Sequence, residues 1–170
     1  MSQPEPWLRG TIEGLHPAAA HLLYTFEQAS EELERFCSGL SAEELWKSPG
    51  AGAASVGFHL RHIAGSVDRL TTYLRGDQLN ESQLATMRAE PVAGASFGEL
   101  MSGLDTEFRR TEEVVRAIAP ERYLDHRVVG RKQLPTSVGG LIVHLSEHTQ
   151  RHLGQAVLTA KLVSAPSPEG

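Results

Sequence analysis

Near the C-terminus the chain reads His144-Leu-Ser-Glu-His148-Thr-Gln-Arg-His152-Leu-Gly-Gln, with imidazoles recurring every four residues. A helix turns about 100° per residue, so a step of four rotates a side chain by only about 40° and neighbouring members of the series share one face. Two such imidazoles can grip one divalent ion. One helix does not supply a third ligand, but a further pair, His59 and His62, stands in a second long helical pattern. A zinc or nickel site of the open type takes three protein ligands and leaves a position for water or substrate. The residues by themselves admit either His59 or His62 beside His148 and His152. An isolated histidine among leucines is more often a core residue with one satisfied hydrogen bond. Several imidazoles converging in one interior are costly without a common partner.

A competing pattern overlaps the first. His144-Leu-Ser-Glu147-His148 fits H-x-x-E-H, the arrangement of inverted zinc peptidases in which both histidines bind the ion and the glutamate is the general base. Five residues with two free positions carry little information, and only a helix end and a short tail follow.

Four amphipathic segments must position these groups. The first runs from Pro17 to Cys37, with Leu22, Leu23, Phe26, Ala29, Leu33 and Phe36 at three-four spacing and glutamates on the other side. Ser41-Ala-Glu-Glu44 reads as a capping box for a short helical piece ending at Trp46. Ser55 N-caps a second long helix to about Arg75, stopped by Gly76-Asp77, with His59, His62, Ile63, Ser66, Leu70 and Tyr73 facing inward. Residues 77–95 are polar, with two helical turns at most over Glu81 to Ala89. They read as a crossover rather than a core element. Ser96-Phe-Gly-Glu99 is a second capping box, opening a third helix that Pro120 closes. Tyr123 to Gln133 resembles an extended loop or short ribbon, and Pro135-Thr-Ser137 starts a fourth helix reaching Val163. The expectation is an all-α four-helix bundle with a long crossover between its second and third helices and a site formed by facing helices. It occupies residues 17–163 as one domain, after a loosely structured lead-in over 1–16 and before a flexible Pro-rich tail over 164–170.

Composition narrows the partners. A net charge of -5 without a long basic run argues against nucleic acid, whose phosphates need clustered Lys and Arg. No apolar run approaches the ~20 residues that span a bilayer, and the first residues lack a signal peptide's pattern, so a cytoplasmic protein without membrane contact is expected. Cys37 is the lone cysteine, which excludes an internal disulfide and reads as a buried or idle thiol. Arg127, Arg131 and Lys132 form a local basic cluster, a wet loop or a receiver of an anionic substrate at the pocket mouth. Asp68 and Arg69 are expected to form solvated or interhelical pairs, and Gly154 to let helices pack closely.

Two segments carry a family resemblance. Gly57-Phe-His-Leu-Arg-His62-Ile-Ala-Gly and His148-Thr-Gln-Arg-His152-Leu-Gly-Gln155 are similar to motifs of the DinB-like family of small bacterial four-helix-bundle proteins, and the similarity covers most of the chain. The resemblance implies a metal-ligand triad of His62, His148 and His152. His59 and His144 are left as pocket residues or alternate ligands. Leu153 departs from the pattern, since arginine is frequent there.

The resemblance also implies an activity: relatives are similar to metal-dependent thiol transferases, and others to hydrolases. The expected cofactor is a divalent ion, zinc or nickel. The expected partners are a small-molecule substrate and a low-molecular-weight thiol, in a homodimer. A non-catalytic metal-binding or stress-response module is the alternative. Three histidines leave a position for an exchangeable ligand, which favours chemistry; a fourth protein ligand from His59 or His144 would favour the alternative.

Overall fold

The fold was obtained as a computed structural model that describes residues 3–164. In chain order the helices are α1 (Pro17–Cys37), α2 (Ala42–Trp46), α3 (Val56–Arg75), α4 (Glu81–Ala89) and α5 (Phe97–Arg116), then the strands β1 (His126–Val129) and β2 (Leu134–Ser137), and finally α6 (Val138–Val163).

Helix ends lie where local chemistry satisfies them. The Ser41/Glu44 and Ser96/Glu99 capping boxes both form, and a third, Asn80/Gln83, starts α4. Ser55 accepts from the Phe58 amide at the start of α3, and Gly76 ends that helix at φ +94°, a left-handed conformation that glycine adopts without strain. His16 caps α1 by accepting from the Ala18 amide and stacks on Tyr123.

The four long helices form a ring in which α6 packs between α1 and α3, while α5 packs on α3 and more lightly on α1. Consecutive helices α1 and α3 thus lie across the diagonal. Their directions follow from paired residues. Gln28 meets Gln150 and Phe36 meets Lys161, so α1 and α6 run together. Thr71 meets Thr111, while the Trp46 indole, packed against Gly57, reaches Ala95; α3 and α5 therefore also run together. His59 meets His152 and His62 meets His148, which makes α3 and α6 antiparallel. Parallel neighbours α3 and α5 require the chain to return the length of the bundle between them, and residues 76–96 do this. The interior is filled by Leu22, Leu33, Leu60, Ile63, Leu104, Ile142, Leu145 and Leu153, with Phe26 stacked on Phe108 at 4.0 Å between ring centres.

The short ribbon expected within residues 123–133 is the first strand of a two-stranded antiparallel hairpin pairing His126 with Ser137 and Val129 with Leu134. Other expectations are corrected. Pro135 lies in β2 rather than in the helix. A two-stranded ribbon has only edges, so proline's missing N–H is tolerated. The lead-in is pinned: Arg9 bridges Glu27 (2.8 Å) and Glu31, and the Tyr24 hydroxyl donates to the Gly10 carbonyl. Gly154 is exposed with nothing near the place of a β-carbon, so it mediates no helix contact. Apart from Ser164, the tail lies outside the described residues. Among those described, no helix is long and apolar enough to cross a membrane.

Candidate metal centre

Because α3 and α6 are antiparallel, residues early in α3 oppose residues midway along α6. His62 Nε2 lies 3.0 Å from His148 Nε2, and the His62 and His152 rings are 4.3 Å apart between centres. One ligand nitrogen from each of His62, His148 and His152 falls within 4.8 Å of the other two, a spacing that can hold a metal ion. Tetrahedral ligands at about 2.0–2.1 Å from one ion stand roughly 3.3 Å apart, so the 3.0 Å His62–His148 pair is already close to that separation.

The donor set suits a cation. Burial, followed by the proximity of His62, holds His148 at a pKa of about 4 and His152 at about 3. At neutral pH both are uncharged imidazoles with a lone pair to donate.

Two of the three clustered rings have a neighbour that fixes them. Phe58 stacks on His62 at 5.3 Å between centres. His62 Nδ1 is 2.7 Å from Glu90 Oε2, so a proton on Nδ1 donates to the carboxylate and Nε2 faces the cluster. The other oxygen of Glu90 accepts from Arg69 at 2.7 Å, and Glu90 is only 3% exposed. Behind His152 lies His59, with Nδ1 to Nδ1 at 3.1 Å, buried and held at a pKa of about 4 by desolvation and then by His62. His59 is thus a partner of a ligand ring, lying outside the three-histidine cluster. His144 sits on the rim, half-exposed, with its ring centre 5.6 Å from that of His148.

Glu90 and Arg69 were not among the expected site residues. The crossover read as peripheral, yet its last helical turn delivers a carboxylate into the interior. Two sequence signals were present. An anion at a helix C-terminus opposes the helix dipole, which makes Glu90 at the end of α4 anomalous without a cation nearby. Gly65, inside a long helix, costs about 1 kcal/mol relative to alanine and so marks a close approach. A β-carbon there would lie 2.6 Å from Glu90 Oε1 and 2.9 Å from Arg69 Nη1. Asp68, by contrast, is a half-buried acceptor for Gln83, away from the cluster.

The crossover is clamped where it meets the site. The Arg61 guanidinium lies over the Trp46 ring at 4.6 Å and donates to the carbonyls of Ala89, Glu90 and Val92. The segment carrying Glu90 is therefore tied to α3 by a side chain one position from His62.

A cleft of about 280 Å³ opens beside the cluster, between α3, α6 and the crossover, with His62, His148 and His144 along one wall. The basic cluster does not line it. Arg127 donates to the Leu74 and His126 carbonyls instead, joining the hairpin to the end of α3. Glu147 does not line it either: it is exposed, faces the groove between α1 and α6 and reaches only the rim residue His144, at 3.5 Å, so it does not stand among the three clustered histidines as the general base of H-x-x-E-H would. Cys37 is fully buried, with its thiol pushed up to about 11 by desolvation, which leaves it inert as a nucleophile.

The family model described as the DinB superfamily matches residues 25–156. The chain belongs to the DinB superfamily. Its fold is similar to that of a conserved protein from Enterococcus faecalis, at TM-score 0.69 and 21% identity over 84% of this chain and 94% of that one. It is also similar to YfiT from Bacillus subtilis, described as a probable metal-dependent hydrolase with an unusual four-helix bundle topology, at TM-score 0.66 and 11% identity over 89% and 91% of the two chains. A DinB-like protein from Bacillus cereus aligns at TM-score 0.62 and 14% identity over 88% and 95%. At these identities the likeness to solved structures is one of fold alone. No curated protein sequence matches this DinB-superfamily chain significantly.

Proposed function

We propose that this DinB-superfamily protein is a metal-dependent enzyme in which His62, His148 and His152 hold a divalent ion, zinc or nickel, and that it transfers a low-molecular-weight thiol to an electrophilic small molecule. The observation that carries the reading is the asymmetry of the site. Three histidines from two helices meet at one point, Glu90 and His59 engage the far sides of two of those rings, and the remaining side opens on a cleft. A structural zinc site is normally closed by four protein ligands, whereas this arrangement leaves room for an exchangeable one. An ion held there would supply Lewis acidity, lowering the pKa of a coordinating thiol or water. The chain's own residues hold the ligand nitrogens in place, keep the lone pairs of His148 and His152 unprotonated and shape the adjoining cleft.

Hydrolysis is the second reading. It is favoured by the fold shared with YfiT, described as a probable metal-dependent hydrolase, and would place water where the first reading places a thiol.

Metal content and coordination number of the purified protein come first, followed by turnover of chlorodinitrobenzene with a panel of small thiols and of nitrophenyl esters with water. Thiol-dependent turnover that is lost on chelation supports thiol transfer. Ester cleavage without thiol moves the assignment to hydrolysis. A closed four-histidine shell, or failure to bind either ion, ends both.

A further inference from the structure

The cleft beside the three histidines has a chemistry of its own. Arg69 is 8% exposed and Tyr73 7%, and both line it. The guanidinium makes one hydrogen bond among the described residues, through Nη1 to Glu90, and the Tyr73 hydroxyl makes none. Tyr123 carries the one side-chain polar atom among the described residues that is both sealed from solvent and unpartnered. The remaining N–H groups of Arg69 and the hydroxyl of Tyr73 are therefore not sealed from solvent, and the cleft is the space their residues line. Two nearly buried residues thus present donors with no protein acceptor, an arrangement that is costly unless water or a ligand satisfies them.

Apart from the histidines and Ser66, whose hydroxyl donates to the Ile63 carbonyl, the other walls are apolar. Leu70 of α3, Leu79 at the start of the crossover and Met87 of α4 face the same space. No carboxylate lines it, and its one permanently charged residue is Arg69, in a chain whose net charge is -5. The two oxygens of Glu90, which could compete, are already engaged by His62 and Arg69. The volume is near the lower end of small-molecule sites, which span roughly 300–1,000 Å³.

We infer that this cleft binds a small monocarboxylate with a short aliphatic body, its carboxylate received by Arg69 and Tyr73 and its chain lying against Leu70, Leu79 and Met87. A charge-assisted pair with a planar guanidinium suits a carboxylate, and a single compensated arginine suits one negative charge better than two. The inference rests on the proposed function only for the chemistry after binding, where it makes the electrophile a carboxylic acid whose body extends towards His62 and His148. The recognition itself depends on residues that hold no metal.

The test is binding of hexanoate, hexanol and hexylamine to the full-length chain, as purified and after removal of metal by EDTA, read by calorimetry and amide chemical-shift changes. Hexanoate is expected to bind at least about tenfold more tightly than either of the others in both preparations, with shifts centred on residues 69–73 and 79–87. Tyr73→Phe is expected to weaken hexanoate roughly three- to tenfold and to leave hexanol unchanged. Arg69→Lys, which keeps a cation beside Glu90, is expected to weaken it by about tenfold, with the fold checked by circular dichroism. Equal binding of hexanol and hexanoate, no effect of Tyr73→Phe, or shifts away from the cleft would overturn the inference. Hexanoate binding that disappears with the metal would do so too, by assigning the carboxylate to the ion. Because the metal-free preparation is read separately, a failure of thiol transfer or of metal binding leaves this result standing.

Discussion

Glu90 Oε2 lies 2.7 Å from His62 Nδ1, joining the end of the crossover to the imidazole that α3 contributes to the three-histidine cluster. The carboxylate fixes the tautomer and orientation of that imidazole and is itself held by Arg69. Removing its charge should therefore act on the metal site from one residue away. Glu90→Gln is expected to weaken zinc binding by about 10–100-fold, the usual cost of losing such a partner, as measured by competition with a chromogenic chelator. It should also destabilise the fold, because Arg69 would be left nearly buried beside a neutral group. Unchanged zinc affinity in a folded Glu90→Gln protein would remove Glu90 from the site.

The ligand assignment separates the histidines. His148→Ala and His152→Ala are each expected to abolish tight binding of zinc or nickel, while His144→Ala keeps it within a few-fold, since His144 stands on the rim outside the cluster. Equilibrium dialysis with metal analysis checks all three. Loss of metal in His144→Ala with retention in His152→Ala would restore the peptidase-like pattern.

Two glycines on the site-bearing helices should respond in opposite directions to the same substitution. Gly154→Ala places a methyl group in open space on an exposed helical position and is expected to stabilise the protein by about 0.5–1 kcal/mol. Gly65→Ala gains the same propensity but drives its methyl group into Glu90 Oε1 and Arg69 Nη1, so it should lower both the melting temperature and zinc affinity. Thermal melts and chelator competition on the two variants decide the point; a stabilised Gly65→Ala with full zinc affinity would show that the Glu90 carboxylate is free to move.

Acid should unfold the metal-free protein through its histidines. In the unfolded chain they take up protons near pH 6.5, whereas in the fold His59 and His148 stay uncharged down to about 4 and His152 down to about 3. Below pH 6.5 the unfolded state binds protons that the folded state does not. Stability then falls with pH, by up to about 1.4 kcal/mol per unit for each of these residues, until the folded-state values are reached. Above that range both states are neutral and these residues contribute no slope. Urea denaturation of EDTA-treated protein across the interval from about pH 7 to pH 5 measures the effect, and a flat midpoint would contradict it.

Much of the architecture is legible in the sequence because its signals are local. The four long amphipathic periods, the Ser41 and Ser96 capping boxes, the Gly76 stop and the span Glu81–Ala89 are each determined by residues within a turn or two of one another, and they form where the spacing places them, except that the fourth long helix opens at Val138 rather than at Pro135. The spacing His148 to His152 likewise ensures that two imidazoles share a face on any helix. Tertiary structure alone decided what those faces meet. The family resemblance points to His62, but spacing alone does not separate it from His59, less than a turn away; physically, the clustering of His62 with His148 and His152 depends on the antiparallel alignment of α3 with α6. The Glu90–His62 contact spans the crossover, and no local pattern specifies how a polar segment folds back. The open donors of Arg69 and Tyr73 follow from the same cause: whether a polar group finds a partner is settled by distant chain segments once helices pack, and cannot be read from the helix that carries it.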